Sequence, residues 1–257
     1  MRRKLVVGNW KMHGSIATNK VLLEGIVAGV KDLREVDAVV CAPYPYLCQA
    51  QSLLAGSNVA WGAQNMCSNN DGAITGAVSP AMLVDYGCTH VIIGHSERRN
   101  LFHETDDTAA ARFNAALEAG LTPIFCMGES IDERESDWTD YIVGRQLDSI
   151  IRRFGPHVLN HAVLAYEPLW AVGSDRAATP QQAQEVHEFI RRRIARCDAG
   201  VAAGVRILYG GSATPDNAAQ LFAMPDIDGG LIGRASLKAD DFVRICQAAS
   251  GSGAQSL

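Results

Sequence analysis

The sequence contains no apolar stretch approaching the ~18 residues that a membrane-crossing helix needs. Its opening, Met1-Arg2-Arg3-Lys4-Leu5-Val6-Val7-Gly8-Asn9, is basic, but the apolar run behind the charges is too short for a secretory leader. Long runs of one charge are missing too: 23 basic residues stand against 28 acidic ones, for a net charge of −5. Such a surface attracts neither phosphate backbones nor anionic lipids, so no nucleic-acid partner and no membrane association are expected. Cysteine pairing signals are absent. The seven cysteines (Cys41, Cys48, Cys67, Cys88, Cys126, Cys197 and Cys246) are odd in number, scattered and without CxxC spacing. Reduced thiols and a cytoplasmic location are the corresponding expectation. With 47% hydrophobic and 20% charged residues, disorder, collagen and disulfide scaffolds are excluded, and a 257-residue core needs no covalent staples.

What the chain does contain is a recurring short apolar run. Leu5–Gly8, Ala38–Ala42, Asn58–Gly62, His90–Gly94, Pro123–Met127, Ala162–Tyr166, Arg206–Tyr209 and Gly230–Gly233 are each too short for a helix and mostly apolar at successive positions. Strands buried on both faces of a parallel sheet read this way. Helical patterns lie between them. Residues 104–119 place Ala109, Phe113, Ala116 and Leu117 on one face before Gly120. Thr179-Pro180-Gln181-Gln182 combines an N-cap, a first-turn proline and a capping-box glutamine, and Thr214-Pro215 repeats the first two. Residues 236–249 form a last helix with Leu237, Phe242, Val243 and Ile245 inward, and 250–257 read as a loose tail. Strand–helix alternation eight times over, with no linker, predicts an α/β chain folded as a single (β/α)8 barrel over 1–257, parallel strands inside and helices outside. A doubly wound open sheet would place a Gly-rich fingerprint after the first strand, where this chain has Asn9-Trp10-Lys11.

Barrel chemistry collects at the carboxyl ends of the strands. There the sequence places Asn9 and Lys11, Gln64-Asn65, His95-Ser96-Glu97, Glu129, Glu167, Gly210-Gly211-Ser212 and Gly233-Arg234. Glu167 follows an apolar strand, where partial desolvation would raise its pKa toward that of a useful base; the alternative is a solvated loop carboxylate. His95 is either a hydrogen-bonded structural residue or, if a helical turn begins at Ser96, a neutral imidazole able to donate to a substrate oxygen. Lys11 is a surface cation or a charge put to use at the barrel mouth. The glycines at 210, 211 and 233 either make tight turns or let backbone amides approach a phosphate. Pro168 to Ala178 reads as a lid, with Leu169, Trp170, Ala171, Val172, Gly173 and Ser174 beside the candidate base, unless Trp170 packs permanently on the barrel. Two resemblances to other sites fail. Gly94-His95-Ser96-Glu97-Arg98 lacks the closing glycine of a nucleophile elbow, and His187-Glu188 has Arg191 where a zinc-protease motif needs histidine. No metal site is expected.

Gly8-Asn9-Trp10-Lys11-Met12, Gly94-His95-Ser96-Glu97-Arg98-Arg99, Ala165-Tyr166-Glu167-Pro168-Leu169-Trp170-Ala171 and Tyr209-Gly210-Gly211-Ser212 together resemble the triosephosphate isomerase family, in order and from residue 5 to about 249. The resemblance implies a TIM barrel that interconverts dihydroxyacetone phosphate and D-glyceraldehyde 3-phosphate through an enediolate, without a cofactor, in glycolysis and gluconeogenesis. By that likeness Glu167 is the base, and His95 the electrophile toward the substrate oxygens. Lys11 and Asn9 stabilise negative charge, Glu97 pairs with Lys11, and Ser96 bonds Glu167 while the lid is open. Gly173, Ser212, Gly233 and the Arg234 position hold the phosphate. It further implies a homodimer in which the segment near Asn65–Ser79 enters the partner's site. This chain departs from the family pattern at His13, at Ser174-Asp175-Arg176 in the lid, at Arg234 in place of a second glycine, and at Ala77 in place of glutamate, which removes an interfacial partner for Arg98. A Schiff-base enzyme acting through Lys11 and a barrel without catalysis are the competing readings.

Overall fold

The computed structural model describes residues 2–171 and 178–251. Eight strands are present: β1 (Lys4–Asn9), β2 (Val36–Ala42), β3 (Val59–Ala63), β4 (His90–Ile93), β5 (Thr122–Met127), β6 (Val163–Tyr166), β7 (Arg206–Tyr209) and β8 (Gly229–Ile232). Each pairs in parallel with its neighbours in chain order, and β8 returns to β1, so the sheet closes into a barrel. The fold expected from the alternating runs is therefore observed.

Alternation along each strand divides the apolar residues into two layers. Leu5, Val7, Cys41, Ile92, Ile124, Cys126, Val163, Ala165, Leu208 and Leu231 pack inside the barrel. Their neighbours Val6, Val40, Ile93, Phe125, Leu164 and Ile207 face the helices. Both faces are dry, which is why the runs carry little polar alternation. The period of two also aims the chemistry. Two residues beyond the last inward side chain come Asn9 after Val7, Glu167 after Ala165, Gly210 after Leu208 and Gly233 after Leu231, all of them on the lining of one cavity.

Around the barrel, the helix Thr139–Phe154 buries Ile142, Val143, Leu147, Ile150 and Ile151 at spacings of three and four. The helix Pro180–Ala195 begins as its sequence predicts: Thr179 Oγ1 accepts from the Gln182 amide at 3.1 Å, and Gln182 Oε1 accepts from the Thr179 amide at 3.0 Å. Strand ends differ from the expected runs by a residue or two, and several other boundaries differ for identifiable reasons. The helix expected from residue 104 spans Asp106–Glu118, capped by Thr105, because Glu104 is drawn instead to Arg98 and Arg112. Thr214-Pro215 makes a turn rather than a helix start. The Thr214 amide donates to Asn217 Oδ1 at 2.8 Å, and the helix begins at Ala218. The last helix spans Ala239–Ala249, while Ser236 sits in a short 3-10 turn with its hydroxyl on Gly233 O. Asn58 precedes β3, its amide donating to Val30 O at 2.7 Å. Of the expected tail, Ser250 closes the last helix and residues 252–257 lie outside the described residues. Among the described residues no helix is long and apolar enough to cross a membrane.

Candidate active site

A cavity of about 740 Å³ opens at the carboxyl ends of the strands, lined by Asn9, Lys11, His95, Glu97, Glu167, Gly210, Gly233 and Arg234 among others. Glu167 is its deepest charged group, only 1% exposed. Its Oε2 accepts from the Ser96 amide at 2.9 Å, and its Oε1 lies 2.8 Å from His95 Nε2. The Ser96 hydroxyl reaches the same Oε1 at 3.4 Å. Two glycines make room for Glu167, one beside its side chain and one beside its backbone. A Cβ at Gly210 would stand 2.8 Å from Glu167 Cγ, and one at Gly128 would overlap Glu167 O at 1.8 Å. Gly128 escaped the sequence reading, because its need lies in the approach of β5 to β6 rather than in any motif.

Burial pushes the Glu167 pKa up, but the charge and hydrogen bond of His95, the Ser96 amide and Lys11 more than offset it. The carboxylate is held below its ordinary range in this arrangement, whereas partial desolvation alone was expected to raise it. The expectation counted the dry strand and could not count the donors brought from β4. His95 sits at the start of the helix Ser96–Phe102, as anticipated, and its Nδ1 accepts from the Glu97 amide at 3.2 Å. That bond leaves Nδ1 without a proton and puts the imidazole proton on Nε2, facing Glu167. Burial lowers the His95 pKa, and the adjacent Glu167 carboxylate outweighs it and raises the pKa. The upward push depends on Glu167 staying beside the ring, while the Glu97 amide opposes a second proton throughout.

Lys11 adopts a left-handed φ of +54°, unusual for a residue with a Cβ. The conformation costs on the order of 1 kcal/mol and persists because the surroundings hold it. Asn9 Oδ1 accepts from the Lys11 amide at 3.1 Å, and Glu97 Oε1 holds Lys11 Nζ at 2.6 Å. The turn aims an ammonium group across the mouth above Asn9, which is itself buried.

The remaining rim residues separate. Ser212 lines the cavity, but its amide donates to Ala171 O at 3.1 Å. Gly233 and Arg234 face the cavity where a short 3-10 turn begins. Arg234 does not share the positive φ of Lys11, so its side chain imposes no backbone strain there. Gln64 and Asn65 are used elsewhere, Gln64 donating to Cys41 O and Asn65 accepting from Arg112. Glu129 is fully buried outside the cavity, where it accepts from Tyr166 Oη at 2.9 Å and from Trp170 Nε1 at 3.0 Å. Arg134 lies 4.7 Å over the Trp170 ring. The first lid residues are bonded in this arrangement as well: Leu169 N donates to Glu129 O at 3.1 Å and Ala171 N to Pro168 O at 2.8 Å. Val172, Gly173 and Ser174 of the expected lid, with Asp175 and Arg176, lie outside the described residues. Among the described residues no group of three metal-binding side chains comes together.

A family profile described as triosephosphate isomerase matches residues 4–249. The triosephosphate isomerase of Thiobacillus denitrificans is 56% identical over 250 residues, covering 97% of this chain and 100% of the relative. Those of Nitrosomonas europaea and Dechloromonas aromatica are each 54% identical, across 96% and 97% of this chain and 98% and 100% of their own lengths. The chain belongs to the triosephosphate isomerase family. Arg98, for which an interfacial partner was not expected, is held by Glu104 Oε1 at 2.5 Å and lies 4.6 Å over the Phe102 ring.

Proposed function

We propose that this chain interconverts dihydroxyacetone phosphate and D-glyceraldehyde 3-phosphate by proton transfer through an enediolate, without a cofactor, as a single barrel unit over 1–257. The observation that carries the reading is the Glu167–His95 pair. A buried carboxylate stands 2.8 Å from the protonated Nε2 of a buried imidazole, in a cavity shared with Lys11 and Asn9. Substrate takes the place of the bonds each group now makes to the other.

Glu167 removes a proton from the carbon beside the carbonyl, and the electron pair moves onto the carbonyl oxygen. His95 Nε2–H donates to that oxygen, and the Lys11 ammonium and Asn9 amide lower the energy of the charge, being fixed before the reaction starts. A hydroxyl proton passes from the oxygen on the first carbon to the former carbonyl oxygen, with His95 bonding the oxygens between which it moves. The protonated Glu167 returns its proton to the neighbouring carbon, completing the exchange of aldehyde and ketone. Glu97 acts through Lys11 as a positioning residue. The amides of Gly173, Ser212, Gly233 and Arg234 hold the phosphate, and Ser212 gives up its bond to Ala171 as Pro168–Ser174 close. Closure excludes water and protects the enediolate from losing phosphate.

The molecule works as a homodimer in the cytoplasm, in glycolysis and gluconeogenesis. Supporting the dimer, residues 68–77 are exposed along their whole length, and Met12, Ile74, Leu101 and Phe102 expose 94%, 46%, 71% and 63% of their surface. A coupled assay of glyceraldehyde 3-phosphate turnover in deuterated water tests the chemistry. Turnover with deuterium entering at the isomerised carbon supports it, and a folded chain without turnover overturns it. Sedimentation at micromolar concentration tests the dimer.

A further inference from the structure

The chemistry above uses the inner part of the cavity. A cavity of about 740 Å³ is far larger than one triose phosphate, and beyond Gly233 its wall is formed by Arg234, Lys238 and Arg244, with Asp216 and Asp241. The guanidinium of Arg244 is engaged by Asp216 at 3.2 Å. Arg234 and Lys238 are exposed and have no ion pair among the described residues. Elsewhere arginines are typically held by carboxylates, as Arg99, Arg191 and Arg193 are. What sets these two cations apart from other exposed, unpaired ones such as Lys31 and Arg34 is that both line the wall of one cavity. Arg234 also follows the residue nearest Lys11 on this wall: a Cβ at Gly233 would be 3.5 Å from Lys11 Cε.

We propose that Arg234 and Lys238 form an outer anion subsite of this cavity, so that it binds short-chain compounds carrying two phosphates more tightly than the corresponding monophosphates. The inference rests on the isomerase reading for the inner phosphate position. Three cations against two carboxylates leave the outer wall with one net positive charge, enough for a single anionic group. Arginine suits it because the guanidinium is always charged and its fork matches two phosphate oxygens. Two-phosphate compounds would act as competitive inhibitors, and Arg234, where the family pattern has glycine, would set the preference.

Calorimetric titration of the full chain with propyl phosphate, 1,3-propanediol bisphosphate and 1,6-hexanediol bisphosphate tests this, with Arg234→Gly and Lys238→Ala alongside. Two equivalent phosphates give a statistical advantage of about twofold, so the expected preference for a bisphosphate is roughly five- to tenfold at low salt, shrinking as salt screens the exposed charges. The preference should fall to about twofold in Arg234→Gly and by a smaller factor in Lys238→Ala. A preference of no more than about twofold for either bisphosphate in the unaltered chain would overturn the proposal. So would an Arg234→Gly variant in which mono- and bisphosphates weaken together, since Arg234 would then serve the inner phosphate only. Because binding is read directly, a chain without isomerase turnover would sink the functional reading while leaving this comparison intact.

Discussion

The two ends of the barrel handle buried charge in opposite ways. At the amino end Asp228 is 2% exposed and receives Arg2 Nε at 2.7 Å, Arg191 at 2.7 Å and the Ile207 amide at 2.9 Å. Arg191 in turn holds Asp226 at 2.6 Å and donates to the carbonyls of Ala202 and Val205. Each of these bonds is between groups of the protein that stay in place. At the carboxyl end Glu167 is buried just as deeply, but its partners are an imidazole on the wall of an open cavity and the first amide of the helix Ser96–Phe102. Lys11 there is also strained, and its counter-charge Glu97 is partly exposed. A buried ion in a closed network contributes rigidity; one whose partners a ligand can replace is available for chemistry.

Substitutions at the two ends should separate turnover from stability. The largest effect is expected for Glu167→Gln, which should lower kcat at least ~10³-fold with little change in KM, because a proton-transfer group acts on the transition state. A change confined to KM would return Glu167 to a binding role. Asp228→Ala should cost about 3 kcal/mol in urea unfolding by leaving Arg191 short of a buried partner, while kcat measured well below the unfolding range stays near wild type. If kcat fell with it, the ends would not be independent. His95→Gln should reduce kcat on the order of 10²-fold, as for one lost oxyanion donor, and wild-type turnover would make His95 structural.

A pH titration probes the wall between the ends. Burial holds the His187 pKa down at about 3, with its Nδ1 3.2 Å from Asp226 O. The folded pKa lies below the unfolded one, so the unfolded chain takes up the proton first. Stability is therefore full above about pH 6.5 and declines as pH falls toward the folded value. Between pH 7 and pH 5 this one group should remove about 2 kcal/mol, and His187→Gln should flatten that part of the profile. An unchanged slope would mean that other groups govern it.

Much of this contrast could be read in the sequence at the carboxyl end and little of it at the amino end. The apolar runs fixed eight strands to within a residue or two, and strand ends then named Glu167, His95 and Lys11. Thr179 and Gln182 announced a helix start because a capping box is complete within four residues. Thr214-Pro215 misled because the Asn217 side chain, three residues on, captures the Thr214 amide and delays the helix to Ala218. The Asp228–Arg191 network joins residues 37 apart in the chain with no short spacing to betray it. The direction of the Glu167 pKa depended on donors from a loop 71 residues away. The tether from Glu129 to Trp170 was hidden likewise, since a carboxylate at a strand end looks the same in sequence whether it faces the cavity or lies behind it.

The pairing of β8 with β1 carries a consequence for how the chain is made. Leu5 stands beside Gly229 in a ladder whose partners are more than two hundred residues apart, and a Cβ at Gly229 would overlap Leu5 O at 1.9 Å. As the chain leaves the ribosome, β1 is synthesised first, and its second partner becomes available only after nearly all the rest. Throughout that interval the growing sheet presents two unpaired edges, β1 on one side and the newest strand on the other. The seam is thus the last pairing that can form and the longest loop to close, making residues near Leu5 the ones exposed longest to wrong partners during synthesis.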